Sequence, residues 1–147
     1  MITASVAIFQ DQKNGILIYP RWKDECGVRI LSEKYTALSS DYTELELGKK
    51  ILQAIMVSEK NEQEDPEKDV FQKASGLKSW NAFQKRYESV EICILDTAEW
   101  KIARCLKKKG HSYGLDKDEV DKYTRIFPEA LPAEEIGKVV LEMFAMK

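Results

Sequence analysis

Glu46-Leu47-Gly48-Lys49-Lys50-Ile51-Leu52, with Ile55 a turn further on, lines up with Glu135-Ile136-Gly137-Lys138-Val139-Val140-Leu141 and Phe144. Both stretches repeat apolar residues at helical spacing: Leu45, Leu47, Ile51, Leu52, Ile55 and Met56 in the first, Ile136, Val139, Val140, Met143 and Phe144 in the second. Each also holds a glycine in mid-helix, where it costs on the order of 1 kcal/mol relative to alanine. Meeting that cost twice in one context implies close packing, which we expect to be of each helix onto a sheet. Upstream, Ser5-Val6-Ala7-Ile8 and Ser89-Val90-Glu91-Ile92 open two apolar runs in the same way. The chain therefore reads as one domain, 1–147, made of two hairpin–strand–helix units. These span 1–60 and 78–147 and are joined by an acidic linker, 61–77.

Working outward, Thr3 to Phe9 and Gly15 to Tyr19 are β-leaning runs separated by polar Gln10 to Asn14, which suits a hairpin. Pro20 is expected to stop the second run, and Val28 to Tyr35 to form a third strand. Thr43 followed by Glu46 has the form of a capping box, starting a helix over about 44–59. Trp80, Phe83 and Tyr87 share one face of a short helix over 79–87. Val90 to Leu95 and Trp100 to Leu106 form a second strand pair, Lys107 to Gly114 a basic turn, and Leu115 to Lys122 a polar connection. Pro132 suits the first turn of a last helix over 133–146. The fold class is α+β, antiparallel strands packed with helices.

The composition excludes several classes. With 44% hydrophobic residues the chain has the makings of a core, and 23 basic against 25 acidic residues leave a net charge of −2. That balance argues against general affinity for nucleic acid, whose phosphates reward a basic excess. No apolar run approaches the roughly 20 residues of a membrane span, and the N-terminal stretch lacks the basic region of a signal peptide. Cys26, Cys93 and Cys105 are odd in number and form no Cys-x-x-Cys pair. No disulfide framework or zinc site is expected, and a reducing, cytoplasmic setting is.

Little material remains for catalysis. His111 is the sole histidine, which excludes metal sites built from several imidazoles and leaves at most one nucleophile–base pair. It lies in Lys107-Lys108-Lys109-Gly110-His111, which lacks the spacing of a phosphate-binding loop and reads as a solvated hairpin end. Cys93 and Cys105 sit in apolar strands, where a free cysteine behaves as a small hydrophobe, and Cys26 stands beside Gly27 in a charged loop. Trp80 and Trp100 are expected in the core. Trp22, between Arg21 and Lys23, is expected to be exposed and to serve as an interface anchor. No catalytic residue, metal or cofactor is expected.

Charge is distributed unevenly. Between Asp41 and Asp69 nine acids face four lysines, and between Asp116 and Glu135 seven acids face three basic residues. Positive charge gathers at Lys73 to Arg86 and Lys101 to Lys109. Such polarity steers association with a charged partner.

Tyr35-Thr36-Ala37-Leu38, the acidic lead-in and Glu44 to Ile55 together resemble a segment of bacterial contact-dependent growth inhibition immunity proteins. Trp80, Phe83-Gln84-Lys85, Val90-Glu91-Ile92 and the last glycine-containing helix are similar to the same group. The resemblance covers most of the chain and brings no active-site signature. It implies a cytoplasmic protein that binds the toxic C-terminal domain of a cognate inhibitor protein, often a nuclease with a basic cleft. The function expected is thus one-to-one neutralisation of a toxin domain, without nucleic acid or membrane. The contact residues expected are Glu62, Glu64, Asp65, Glu67, Asp69, Asp116, Asp118, Glu119 and Trp22. Two rivals stand beside it: a small enzyme or nucleic-acid-processing factor centred on Lys107 to His111, and a cytoplasmic adaptor subunit.

Overall fold

The computed structural model describes residues 1–13, 15–66, 69–110 and 112–146; Glu67 and His111 therefore lie outside the described residues. Apolar runs with β-branched residues give the long strands β1 (Ile2–Gln10), β2 (Ile16–Lys23), β5 (Glu88–Leu95) and β6 (Trp100–Lys108). Short strands β3 (Arg29–Leu31), β4 (Thr36–Leu38), β7 (Ser112–Gly114) and β8 (Thr124–Phe127) complete an eight-stranded sheet. Its order is β3-β2-β1-β5-β6-β7, with β4 also on β2 and β8 also on β6, and every pairing is antiparallel.

The pairing of the second half repeats that of the first. Val6 pairs with Pro20 as Val90 pairs with Arg104, 84 positions on. The same shift carries Arg21↔Leu31 onto the β6–β7 register, in which Leu106 pairs with Gly114. The central β1–β5 pairing returns onto itself, Val6↔Ile92 exchanging with Ile8↔Val90 about the pair Ala7↔Glu91.

Alternation along the strands divides the core in two. Val6, Ile8, Ile16, Ile18, Val90, Ile92 and Ile102 face α1 (Glu44–Lys60) and α5 (Ala133–Phe144). Ala7, Phe9, Leu17 and Tyr19 face the opposite way, towards α3 (Trp80–Arg86), which follows α2 (Val70–Ser75). The fifth helix, α4 (Val120–Tyr123), is one turn long. Phe83 meets Phe9 edge-on at 4.9 Å and stacks on Trp80 and Tyr87, so this face is closed over β1 and β2 by aromatic rings.

Thr43 caps α1 as expected: its Oγ1 accepts from Glu46 N at 3.1 Å. The two glycines do not pack on the sheet. A Cβ built on Gly48 would lie 1.6 Å from the Ala133 carbonyl oxygen, and one on Gly137 would lie 1.9 Å from that of Glu44. Each helix thus presses the first-turn carbonyl of its own N-terminus against the glycine of the other. The price of two flexible residues is exchanged for main-chain contact between helices.

Four further expectations are corrected. Pro20 does not end β2, because its carbonyl accepts Ser32 N at 2.8 Å where the neighbour of β2 changes from β4 to β3. Its missing N–H falls in that gap. The expected strand 28–35 is shortened to β3, and the partner of β2 beyond the change is β4, which starts after it. The segment read as linker, 61–77, contains α2, closed by Gly76 at φ 73°. Trp22 is 3% exposed. Strand alternation sends its charged neighbours to the other face, and the indole lines a small crevice with Val57, Glu62 and Glu64.

Candidate functional site

Among the described residues, α3 covers the second face of the sheet at Phe9 and Tyr19, and the face opens towards Arg21, Glu91 and Ala103. In the shift that relates the halves, Phe9 corresponds to Cys93 and Tyr19 to Ala103. Where the first half raises aromatic rings to meet α3, the second half keeps small side chains and stays open. The result is a groove with two connected hollows. The larger, 660 Å³, lies between Arg29 and Leu31 on one side and Trp80 and Tyr113 on the other. The smaller, 300 Å³, is walled by Ile2, Leu95, Val120 and Ile126. Both reach Glu91 and Ala103 on the floor.

A polar network occupies that floor. Glu91, in the middle of β5, forms an ion pair with Arg21 of β2. Arg21 Nη1 also donates to Ser5 Oγ at 3.1 Å. The thiols of Cys93 and Cys105 approach the two Glu91 oxygens at 3.5 and 3.6 Å. Burial, and then the Glu91 charge, push Cys93 up to about 11 and Cys105 up to about 12. Both thiols are therefore protonated at neutral pH and inert as nucleophiles. The floor offers charge and hydrogen bonding to an incoming surface, and its two thiols are not activated.

The acidic residues expected to make contact are held on the two wings of the sheet. Glu62 pairs with Lys34 at 2.7 Å, and the Glu64 carboxylate accepts from Ser32 Oγ at 2.6 Å and Glu33 N at 2.8 Å. These bonds tie the start of the linker to the β3–β4 turn. Asp65 and Asp69 are exposed, Asp69 at the start of α2. On the other wing Lys108 Nζ binds Asp116 at 3.1 Å and Glu119 at 2.5 Å, and Asp118 is exposed. Hydrogen bonds to Lys34 and to Lys108 hold the Glu62 and Glu119 carboxyls below the usual glutamate range.

Sequence reasoning missed the groove because its parts are distant in the chain: Arg21 and Glu91 are brought together only by the pairing of β1 with both β2 and β5. The available signal was Glu91 itself, a charge in the middle of the apolar run Val90 to Leu95.

No family model matches this chain, and no curated protein matches it. Among solved structures, one chain of the CdiA-CT/CdiI toxin and immunity complex from Yersinia pseudotuberculosis is similar over 97% of this chain and 95% of that one. The identity is 17% and the TM-score 0.68. A protein of unknown function from Neisseria meningitidis is similar over 97% of this chain and 93% of its own, at 16% identity and a TM-score of 0.68. At these identities the likeness is one of fold, an antiparallel sheet with helices matched nearly end to end.

Proposed function

We propose that this chain is an immunity protein that binds and neutralises the C-terminal toxin domain of a cognate contact-dependent growth inhibition effector. The observation that carries the reading is the end-to-end likeness to a chain of a toxin and immunity complex. Of the two roles in such a pair, the immunity role is favoured by the groove floor, where the thiols are held protonated and Glu91 is matched by Arg21. Binding is one-to-one, in the cytoplasm, and blocks the active site or substrate cleft of a toxin that is a nuclease. The exposed carboxylates Asp65, Asp69 and Asp118 support electrostatic steering of the encounter. The two halves are read as copies of one unit, which the matching registers and reciprocal glycine contacts support.

The test is co-expression with the toxin domain encoded directly upstream of the gene for this chain. Cells making both should grow, and the purified proteins should titrate calorimetrically at one to one. Growth arrest with no complex would refute the reading. Replacing His111 with alanine should leave protection intact, whereas a small enzyme centred on Lys107 to His111 would lose its activity.

A further inference from the structure

We propose that the groove on the open half of the sheet is the toxin-docking surface, and that it receives an acidic segment bearing an apolar side chain. The proposal rests on the immunity reading above.

The molecule itself shows how this face is meant to be treated. Over β1 and β2 it is covered by α3, with Phe83 edge-on to Phe9 and Tyr87 stacked on Phe83. Over β5 and β6 the corresponding floor is Cys93 and Ala103, bordered by Val120 and Asp121 of the one-turn α4, which leaves the smaller hollow above it. Small side chains there leave room for a foreign segment at the level that α3 occupies in the first half.

Two sets of observations define the occupant. Val120 is 42% exposed and Ile126 58% exposed, both on the wall of the smaller hollow. Large apolar side chains flanking one pocket form the kind of patch that marks a binding site, and they call for an apolar side chain between them. The second set is charge. Arg29 faces the larger hollow half-buried, donates to the Ile2 carbonyl at 2.6 Å, and among the described residues is paired with no carboxylate. Lys101 is exposed at the smaller hollow and likewise meets no carboxylate there. Arg21 is neutralised by Glu91, so among the described residues lining the hollows Arg29 and Lys101 face an occupant against the carboxylate of Asp121. Complementarity then favours carboxylates on the incoming segment. Docking would also exclude water from the Arg21–Glu91 pair, making an arginine at the groove centre a recognition element.

The experiment measures binding of the upstream-encoded toxin domain to wild type, Lys101→Glu, Arg29→Glu, Ile126→Asp and Asp121→Lys, with a circular dichroism melt for each. Lys101→Glu, Arg29→Glu and Ile126→Asp should each weaken binding by about tenfold or more, and Asp121→Lys should bind at least as tightly as wild type. Should Arg29→Glu fail to fold, Lys101→Glu and Ile126→Asp decide, since both side chains are exposed. Wild type that does not bind would overturn the immunity reading. Wild type that binds, with the groove variants unaffected, would overturn the groove alone. Tighter binding by Lys101→Glu with weaker binding by Asp121→Lys would overturn the acidic occupant.

Discussion

A methyl group added to Gly48 tests the helix crossing directly. By intrinsic propensity Gly48→Ala should stabilise α1 by about 1 kcal/mol. The structure predicts the opposite sign. The new Cβ would stand 1.6 Å from the Ala133 oxygen, a main-chain atom, where ordinary contact begins at 3.4 Å. The helices must separate by about 1.8 Å, and a gap of even 0.5–1 Å forfeits a quarter to a half of the dispersion energy across it. Overpacking of this kind costs about 1–3 kcal/mol, and the loosening of Leu47, Ile51, Ile136 and Val140 beneath the crossing adds to it. We expect a net loss of about 3 kcal/mol, which at an m-value of about 2 kcal/mol/M lowers the urea midpoint by about 1.5 M. Gly137→Ala should behave alike, and the double variant should lose less than the two single losses together, because the first separation makes room for the second methyl. A midpoint that stays or rises in either single variant would refute the reciprocal contact.

Arg104, 8% exposed, donates from Nη1 to the carbonyls of Met143, Phe144 and Met146, and its Nη2 meets Glu88 at 2.9 Å. Arg104→Met should cost about 3 kcal/mol and speed amide exchange in the last turn of α5; normal exchange there would show that the cap is not needed. Ser58 Oγ joins Ser5 N and the Arg21 carbonyl, so Ser58→Ala should lower stability by about 2 kcal/mol in chemical denaturation. The lowered pKa values of Glu62 and Glu119 mean that their pairing stabilises the fold above the ordinary glutamate value of 4.5 and is lost as pH falls through the lowered values. Proteolysis near residue 62 should therefore rise only as the pH falls through those lowered values and not at neutrality, and equal cleavage in acid and at neutrality would count against the tie. Exposed Cys26 should be alkylated first at neutral pH, with Cys93 and Cys105 labelled only on unfolding, as read by mass spectrometry.

The elements that carry their own periodicity were legible: α1 through Thr43 and its apolar stripe, α5, and the four long strands. Strands β4 and β8 were not, since three or four residues hold no pattern and it is pairing with β2 and β6 that extends them. Helix α2 was hidden by the acidic run before it, although Val70, Phe71 and Ala74 ahead of Gly76 carried a weak helical signal. Pro20 and Trp22 were misread for one reason: a proline and two flanking charges are judged locally, whereas the strand on either side decides whether an N–H is missed and which way an indole turns. The glycines announced close packing and left its partner unnamed, because the atom they approach belongs to the other half of the chain. The groove is legible only as the odd charge of Glu91.

The reciprocal glycine contact also constrains how this protein can change. Where a side chain crowds a side chain, a second substitution that trims the neighbour restores the fit. At Gly48 and Gly137 the crowding atoms are the carbonyl oxygens of Ala133 and Glu44, and no codon alters a carbonyl. A damaging substitution at either position should therefore have no suppressor at the residue it strikes. Revertants selected for recovery should restore glycine itself or fall in the apolar layer beneath the helices, where repacking lets the pair settle further apart.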